Sequence, residues 1–410
     1  MNIWLVQTSE TWPVGNNVRK MRTALLADKL VERGHKILWW ASAFDHYKKA
    51  WIVKEDKEVS LQNGMTLKLL KGAGYKRNIS LSRFIDHRIV AKKISKLASS
   101  KPKPDVIVVS MPPHDAAFAA VKYAKMNRIP VIVDIRDPWP DIFLNHVPGI
   151  LKPALRTLLV RDFNMNRYIM KEADSLVAVS NTFLDWGLQY AQRRRSPYDQ
   201  VFYLGAKKSS ANQDDGNKIT DLLTRLNNKF IVAFVGTFAH YHNPKILVDC
   251  ASKIGSEQVH FVLAGEGEFY NSIHEAARGL KNVTLTGWLG QPEINSLLQR
   301  AQVGVCPTTH KVDLFPNKAF TYLSAGLPVI SAFQGDLKEI IEKRGIGLYY
   351  PPNDLDSFVN CVRTMQDDEL TRGRTLKNVK EVFAKMFDAD KIYEQYSEHI
   401  EKVCHDISAD

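Results

Sequence analysis

FPNKAFTYLSAGLPVI, residues 315–330, is the stretch from which the rest of the chain can be read. Pro316 and Asn317 precede a short helical run, Lys318 falls in its first turn, Gly326 ends it, and Leu327–Ser331 is β-rich. A helix N-terminus leaves backbone N–H groups unbonded and carries roughly half a positive charge, so it can hold a phosphate. A lysine in that turn opposes the helix dipole but helps to hold an anion. Taken alone, the stretch is equally an ordinary helix-to-strand corner with a surface lysine.

The flanking sequence favours the first reading. Apolar β-type runs at Phe230–Val235, Val259–Ala264, Val283–Thr286, Val303–Cys306 and Leu327–Ser331 alternate with helical patterns near 244–254, 268–279, 291–301, 318–325 and 336–343. Repeated β-α-β implies a parallel sheet with helices on both faces. Ligands on such sheets bind beyond the carboxyl ends of the strands. The loops Gly236–Asn243, Gly265–Gly267, Gly287–Gln291 and Pro307–Asn317 all leave from those ends and form one rim.

The first half repeats this plan. Asn2–Gln7 reads as a strand, Gly15 lies in the loop after it, Asn17–Arg33 is an amphipathic helix ended by Gly34, and Lys36–Ala41 is the next strand. Further strands are expected at Val106–Ser110, Pro130–Ile135, Ser175–Val179 and Gln200–Tyr203. The polar stretch after Ala206 reads as a linker. The expected organisation is α/β throughout: a first Rossmann-like domain over 1–205, a linker over 206–217, a second Rossmann-like domain over 218–387, and a terminal helix over 388–410.

The chain is 45% hydrophobic and 24% charged, an ordinary globular balance, with no apolar run near the roughly 18–20 residues of a membrane span. Its start runs directly into a strand, not a signal peptide, and its four cysteines have no CxxC spacing, so a cytosolic chain with reduced thiols is expected. Charge is unevenly spread. Residues 1–205 hold 33 Lys/Arg against 18 Asp/Glu, a net +15, while the remainder holds 23 against 26, a net −3. The excess is densest over 76–103, where Leu81, Phe84, Ile85, Ile89, Ile94 and Leu97 could form an apolar stripe flanked by Arg83, Arg88, Lys92, Lys93 and Lys96. Such a helix can lie on an anionic membrane surface, or it can simply be a core helix with a basic solvated face. Nothing resembles a nucleic-acid recognition module.

Ten segments in order carry a resemblance to a known family. They are Val18–Leu30 with RGH at 33–35, ASAFDHYKK (41–49), SMPPHDAA (110–117), DIRDPWPD (134–141), ADSLVAVS (173–180), FVGT (234–237), LAGEGEF (263–269), NVTLTGWL (282–289), PNKAFTYLSAGLPVI and GIGLYYPPND (345–354). Together the chain resembles the retaining glycosyltransferases of family 4, and most of all bacterial enzymes that build O-antigen or capsule units on a lipid carrier. The resemblance implies a GT-B fold, two facing Rossmann-like domains with a C-terminal helix crossing back to the first. It also implies a nucleotide-sugar donor, UDP-linked on family grounds, a lipid-linked or glycan acceptor, and a cytoplasmic enzyme peripheral on the inner face of the plasma membrane.

Residue by residue, Gly236 matches the glycine whose loop grips the donor diphosphate. Thr237 stands where relatives often carry Arg, and His242 falls near a Lys position, so Lys318 is expected to carry a larger share of the phosphate charge, with Asn317 beside it. Asp313 and Thr321 occupy the places of a family Glu pair. Asp313 can still accept from a sugar hydroxyl; Thr321 cannot supply the carboxylate that holds ribose. Gly265 and Glu266 resemble the acidic turn after the third strand of the family fold, and Trp288 and Leu289 are candidates to frame the nucleobase. On the acceptor side stand His46 and Arg136. His114 is expected against the transferred sugar, and Asp137 beside the acceptor hydroxyl; the alternatives are a loop His packed on Pro112 and Pro113, and an Arg136–Asp137 structural pair or helix cap. Gly15 would allow close approach of the backbone to substrate, or merely make a turn.

No DxD-type pair sits in a plausible place, since Asp214–Asp215 is in the linker and Asp367–Asp368 in a helical tail. No metal and no cofactor are therefore expected. Two other readings remain open: a nucleotide-sugar 2-epimerase, and a catalytically weak binding partner in a glycan assembly complex.

Overall fold

The computed structural model describes residues 1–12, 20–61, 64–78, 80–145, 147–209, 219–239, 242 and 244–408. It divides into two compact units, Met1–Tyr203 with Tyr393–Asp410, and Leu204–Ile392.

The first unit is built on ten strands: β1 (Asn2–Val6), β2 (Lys36–Ser42), β3 (Phe44–Asp45), β4 (Ala50–Trp51), β5 (Lys57–Ser60), β6 (Met65–Leu70), β7 (Val106–Met111), β8 (Val131–Ile135), β9 (Ser175–Ala178) and β10 (Gln200–Val201). Eight of them form one sheet in the order β10-β9-β8-β7-β1-β2-β6-β5, and β3 and β4 make a small separate ribbon. All pairings in the large sheet are parallel except β5 on β6. The run VIVVSM of β7 is buried at every position, as a parallel strand covered on both faces must be. Helices Leu81–Leu97, His114–Met126 and Val160–Glu172 pack in succession, the first on the second and the second on the third. Neither β5 nor β6 was among the expected strands; β5 (KEVS) is charged and exposed, while β6 (MTLKLL) carries an alternation that its burial follows.

The first described helix is Arg22–Glu32, shorter than expected, and residues 13–19, with Gly15 among them, lie outside the described residues. Arg22 points inward: Nε and Nη2 donate to Asp134 Oδ2 and Oδ1 at 2.9 and 3.0 Å. The final helix, Ala389–Ser408, has its residues from Tyr393 onward in this unit. There Glu394 and Glu401 take Arg33, and Tyr396 stacks on Phe202 at 4.6 Å.

The second unit contains β11 (Phe230–Val235), β12 (Val259–Ala264), β13 (Val283–Gly287), β14 (Val303–Cys306), β15 (Val329–Ser331) and β16 (Gly347–Tyr349). They form a wholly parallel sheet in the order β13-β12-β11-β14-β15-β16. Strand order reverses between β11 and β14, so loops after those strands open to either side of a crevice. The core centres on Val232, Phe234, Phe261, Leu263, Val305 and Phe358. Of the expected linker, 210–217 lie outside the described residues; Ala206 bridges to Asp388.

Candidate active site

In the second unit, three glycines let loop backbones close over the ends of β11 and β12. Gly236 has φ +149° and its N–H donates to Ala264 O at 2.9 Å. Gly265 (φ +143°) lies so near that a Cβ would fall 2.0 Å from Gly236 O, and at Gly267 one would fall 2.6 Å from Phe238 O. A side chain at either place forces the backbone apart.

Against this loop stands the helix Asn317–Ser324, whose N-cap, Pro316, gives it no side-chain cap. Tyr322 fixes its pose: the hydroxyl accepts from Val235 N at 2.9 Å and donates to Val305 O at 3.3 Å. The ring covers Gly304, where a Cβ would meet it at 2.3 Å. One turn earlier on the same face comes Lys318. Its stem is partly exposed, but Nζ is buried, 4.2 Å from the Phe234 ring centre and without a hydrogen-bond partner among the described residues. A Cβ on Gly236 would stand 3.2 Å from that nitrogen. Burial pulls the ammonium down to about 8, against a small opposing effect of Cys306. Cys306 offers no counter-charge, because burial pushes its thiol up to about 12. A desolvated cation without an anion is costly unless a ligand supplies one.

The other residues of this rim are distributed unequally. His242 is half-buried, its Nδ1 unpartnered among the described residues, and burial followed by the Lys318 charge lowers it to about 4, so it is a neutral imidazole. Thr237, Glu266, Asp313 and Asn317 are exposed. The Glu266 carbonyl accepts from Phe238 N at 2.9 Å, and its carboxylate lies over Gly287, where a Cβ would be 3.3 Å from Oε1. Thr321 turns its hydroxyl back to Asn317 O at 3.4 Å. Leu289 is buried while Trp288 is 71% exposed, so the tryptophan, unlike the core residue it would ordinarily be, is open to a ligand.

The first unit holds a second cluster, made of side chains. His114 is the first residue of the helix His114–Met126, directly after its N-cap Pro113, rather than a loop residue. Its ring is buried against Trp139 at 6.0 Å and engages the Trp139 backbone, and Nε2 has no partner among the described residues. Burial lowers its pKa, which keeps it neutral. His46 Nδ1 meets Tyr75 OH at 2.6 Å; burial, then Arg83 and Lys49, lower it to about 4. His87 is buried nearby and lowered to about 3, by burial and then by Arg83.

At the centre is Arg83, which the sequence reading had placed on a solvated basic stripe. The structure corrects that. Ser80 caps the helix Leu81–Leu97, and Arg83 at its third position turns inward with His87, Val90 and Ile94, while Leu81 and Ile85 face solvent. The guanidinium lies 4.7 Å from the Trp139 ring and 5.6 Å from that of Tyr75, and Nη1 donates to Asn78 O at 2.8 Å. Nε is buried without a partner, and no carboxylate comes within ion-pair distance among the described residues. Sequence reasoning missed it because its inward turn depends on the cap at Ser80; S-x-x-R was the available signal.

Arg136 is engaged elsewhere. It pairs with Glu10, donates to Asp134 Oδ2 at 3.1 Å and to Thr23 Oγ1 at 2.9 Å, leaving little of the guanidinium for a substrate. Asp137 is therefore not its structural partner, nor does it cap the following helix, whose N-cap is Pro140. Asp137 is exposed, and desolvation raises its carboxyl to about 6 against Arg136 and Arg83. Among the described residues no group of three or more His, Cys, Asp or Glu could hold a metal ion.

Two Rossmann-like units of this kind define the GT-B class of fold. A solved GT-B neighbour, Anabaena Alr3699/HepE in complex with UDP, superimposes with a TM-score of 0.68 at 16% identity, covering 98% of this chain and 99% of that one. Residues 229–368 match the family model for glycosyl transferases group 1. Two curated proteins are similar in sequence. The D-rhamnosyltransferase WbpZ of Pseudomonas aeruginosa is 24% identical over 276 residues, 63% of this chain and 70% of that protein. The UDP-Gal:alpha-D-GlcNAc-diphosphoundecaprenol alpha-1,3-galactosyltransferase of Escherichia coli is 26% identical over 151 residues, 35% of this chain and 38% of that enzyme.

Proposed function

We propose that the chain is a glycosyltransferase that moves a sugar from a nucleotide-sugar donor, UDP-linked, to a lipid-linked or glycan acceptor in the assembly of a bacterial surface polysaccharide. The observation that carries this reading is Lys318: a buried ammonium with no hydrogen-bond or ion-pair partner among the described residues, at an uncapped helix N-terminus, beside a glycine loop. That arrangement suits a diphosphate. The UDP-bound neighbour and the two sugar-transferring relatives support the donor class, and the diphosphoundecaprenol-using relative supports the lipid acceptor.

The step we assign is transfer with retention. The acceptor oxygen bonds the anomeric carbon on the face from which the diphosphate leaves, the carbon–oxygen bond to phosphate breaks, and the departing phosphate oxygen takes the hydroxyl proton. Charge growing on that phosphate is met by Lys318 and the N–H groups at the start of its helix, which makes a metal unnecessary in this scheme. No cofactor is required. His114, neutral and with Nε2 unused, serves a hydroxyl of the transferred sugar; Asp137 orients the acceptor hydroxyl; Asp313 and Glu266 accept from sugar hydroxyls; Trp288 flanks the base.

The test is nucleoside diphosphate release from a panel of UDP-, GDP-, dTDP- and ADP-sugars in EDTA, with and without bacterial lipid extract. We expect release from one nucleotide class, dependent on extract and lost in Lys318→Ala. Release without any acceptor would move the reading to an epimerase-type side reaction. Nucleotide binding without release would leave a catalytically weak binding partner.

A further inference from the structure

Of the eleven large apolar side chains exposed among the described residues, four fall within eleven positions: Ile150 (88% exposed), Leu151, Leu158 (78%) and Val160. They flank and include the helix Lys152–Leu158, which buries none of its residues. Only Leu159 and the half-buried Leu155 turn inward, joining Leu144, Phe163, Phe143 and Tyr190 in a small satellite cluster. The helix is thus pinned from beneath and bare above. Between Asp141 and Asp162 the sequence has no acidic residue, while Lys152, Arg156 and Arg161 are basic. Arg161 reaches Asp115 at 2.6 Å, but neither Arg156 nor Arg167 has a carboxylate partner among the described residues. Arg156 lies 5.7 Å from the Phe163 ring and Arg167 bonds Asn164 Oδ1 at 2.8 Å. Beside the helix is a cavity of about 470 Å³ whose lining includes Arg156, Thr157, Arg167, Gln189 and Tyr190.

We propose that this element, residues 148–161, docks the first unit on an anionic phospholipid bilayer, with the cavity receiving a lipid phosphate between Arg156 and Arg167. Ile150, Leu151, Leu158 and Val160 enter the acyl boundary, and the basic side chains reach along their own stems to the headgroups. Leu151, Ala154 and Leu158 recur at helical spacing, which aligns them along one side, and Lys152 and Arg156, four apart, share another, across the inward Leu155. Charge selects the occupant. A segment whose own ionic groups, Lys152, Arg156 and Arg161, are all basic repels a second copy of itself and complements anionic lipid. The helix Leu81–Leu97, expected from sequence to do this work, presents only Leu81 and Ile85 among its exposed large apolar side chains.

The inference deepens the lipid-acceptor reading, but its test does not depend on catalysis. Full-length protein is sedimented with vesicles of phosphatidylcholine alone and with phosphatidylglycerol added, and UDP binding is measured on the same preparation. We expect binding to the anionic vesicles only, weakened by salt. The double substitution Ile150→Asp with Leu158→Asp should lower it about tenfold or more. Arg156→Glu should lower it several-fold. Leu370→Asp, at an 84% exposed leucine of the second unit, should leave it unchanged. Absence of wild-type binding, or an equal loss in Leu370→Asp, overturns the docking site. So does a dimer in light scattering that the Ile150/Leu158 double variant dissolves, since a second copy would then be the occupant. Intact UDP binding without vesicle binding rejects the docking element alone; vesicle binding without UDP binding rejects the donor reading alone.

Discussion

The Lys318 pocket and the Arg83 cluster each bury a cation that no carboxylate answers among the described residues, yet they are made in opposite ways. In the second unit one ammonium stands against backbone: Gly236, Gly265 and Gly267 bring peptide groups close, and Tyr322 fixes the helix that carries the charge. In the first unit one guanidinium lies between two rings, Tyr75 and Trp139, its charge acting on the neutral His46 and His87, with His114 buried against Trp139. A backbone cradle recognises what all nucleoside diphosphates share. A side-chain cluster can be rewritten residue by residue, which is what choosing among acceptors demands.

The largest effect should come from Lys318→Ala. Loss of a fixed donor to a developing oxyanion commonly costs about 2.7–4 kcal/mol, roughly 10²–10³ in kcat. Lys318→Met without ligand should instead stabilise the fold. The ammonium falls from 10.5 to about 8, so the folded state opposes protonation, and the penalty is fully present below pH 8 and relieved as pH rises towards 10.5. Thermal unfolding at pH 7 should show a gain on the order of 1–3 kcal/mol. A less stable Lys318→Met would mean that the lysine is paired in the free protein.

Next is Gly265→Ala, which needs a Cβ 2.0 Å from Gly236 O at a φ of +143°. We expect a loss of about 1–3 kcal/mol in denaturant unfolding, together with UDP binding. Wild-type stability in this variant would show that the two loops are not held against each other.

Arg83→Gln should act on one substrate alone. If Arg83 takes an anionic group of the acceptor, acceptor KM rises about tenfold, the loss of one charge-assisted hydrogen bond, while UDP affinity stays put. An equal fall in UDP affinity would make Arg83 a prop of the fold.

This asymmetry also explains how much was legible in the sequence. The β-α-β alternation marks out the second sheet because its strands are unbroken apolar runs, and the Pro316-Asn317-Lys318 corner is local in sequence. The Arg83 cluster draws on β2–β3, the segment before the helix Leu81–Leu97, that helix, and the loops after β7 and β8. Beyond the capping serine Ser80, nothing local reports which of seven basic residues over 76–96 turns inward. Trp139 and Tyr75 look like ordinary aromatic residues until the fold brings Arg83 between them. β5 and β16 escaped because short edge strands carry little periodicity, whereas the alternation of β6 was there to be read in MTLKLL.

The smallest effect expected is a difference in pH response. Lys318 loses its charge as pH rises through about 8, so UDP affinity should hold between pH 6.5 and 8 and then fall, approaching tenfold per unit as one proton becomes linked to binding. Asp137 behaves oppositely. Its carboxyl, raised to about 6, is protonated below that point, so acceptor-dependent turnover should fall on the acid side while UDP affinity does not. The exposed side of Asp137 admits water, which tempers its shift and makes this limb shallow. His46, His87 and His114 should add nothing between pH 6 and 9, because all three are held neutral. Calorimetric UDP binding beside steady-state turnover across that range separates the limbs. If both measurements bend together at one pH, Lys318 and Asp137 are not independent, and the division between a backbone-built donor pocket and a side-chain-built acceptor pocket fails.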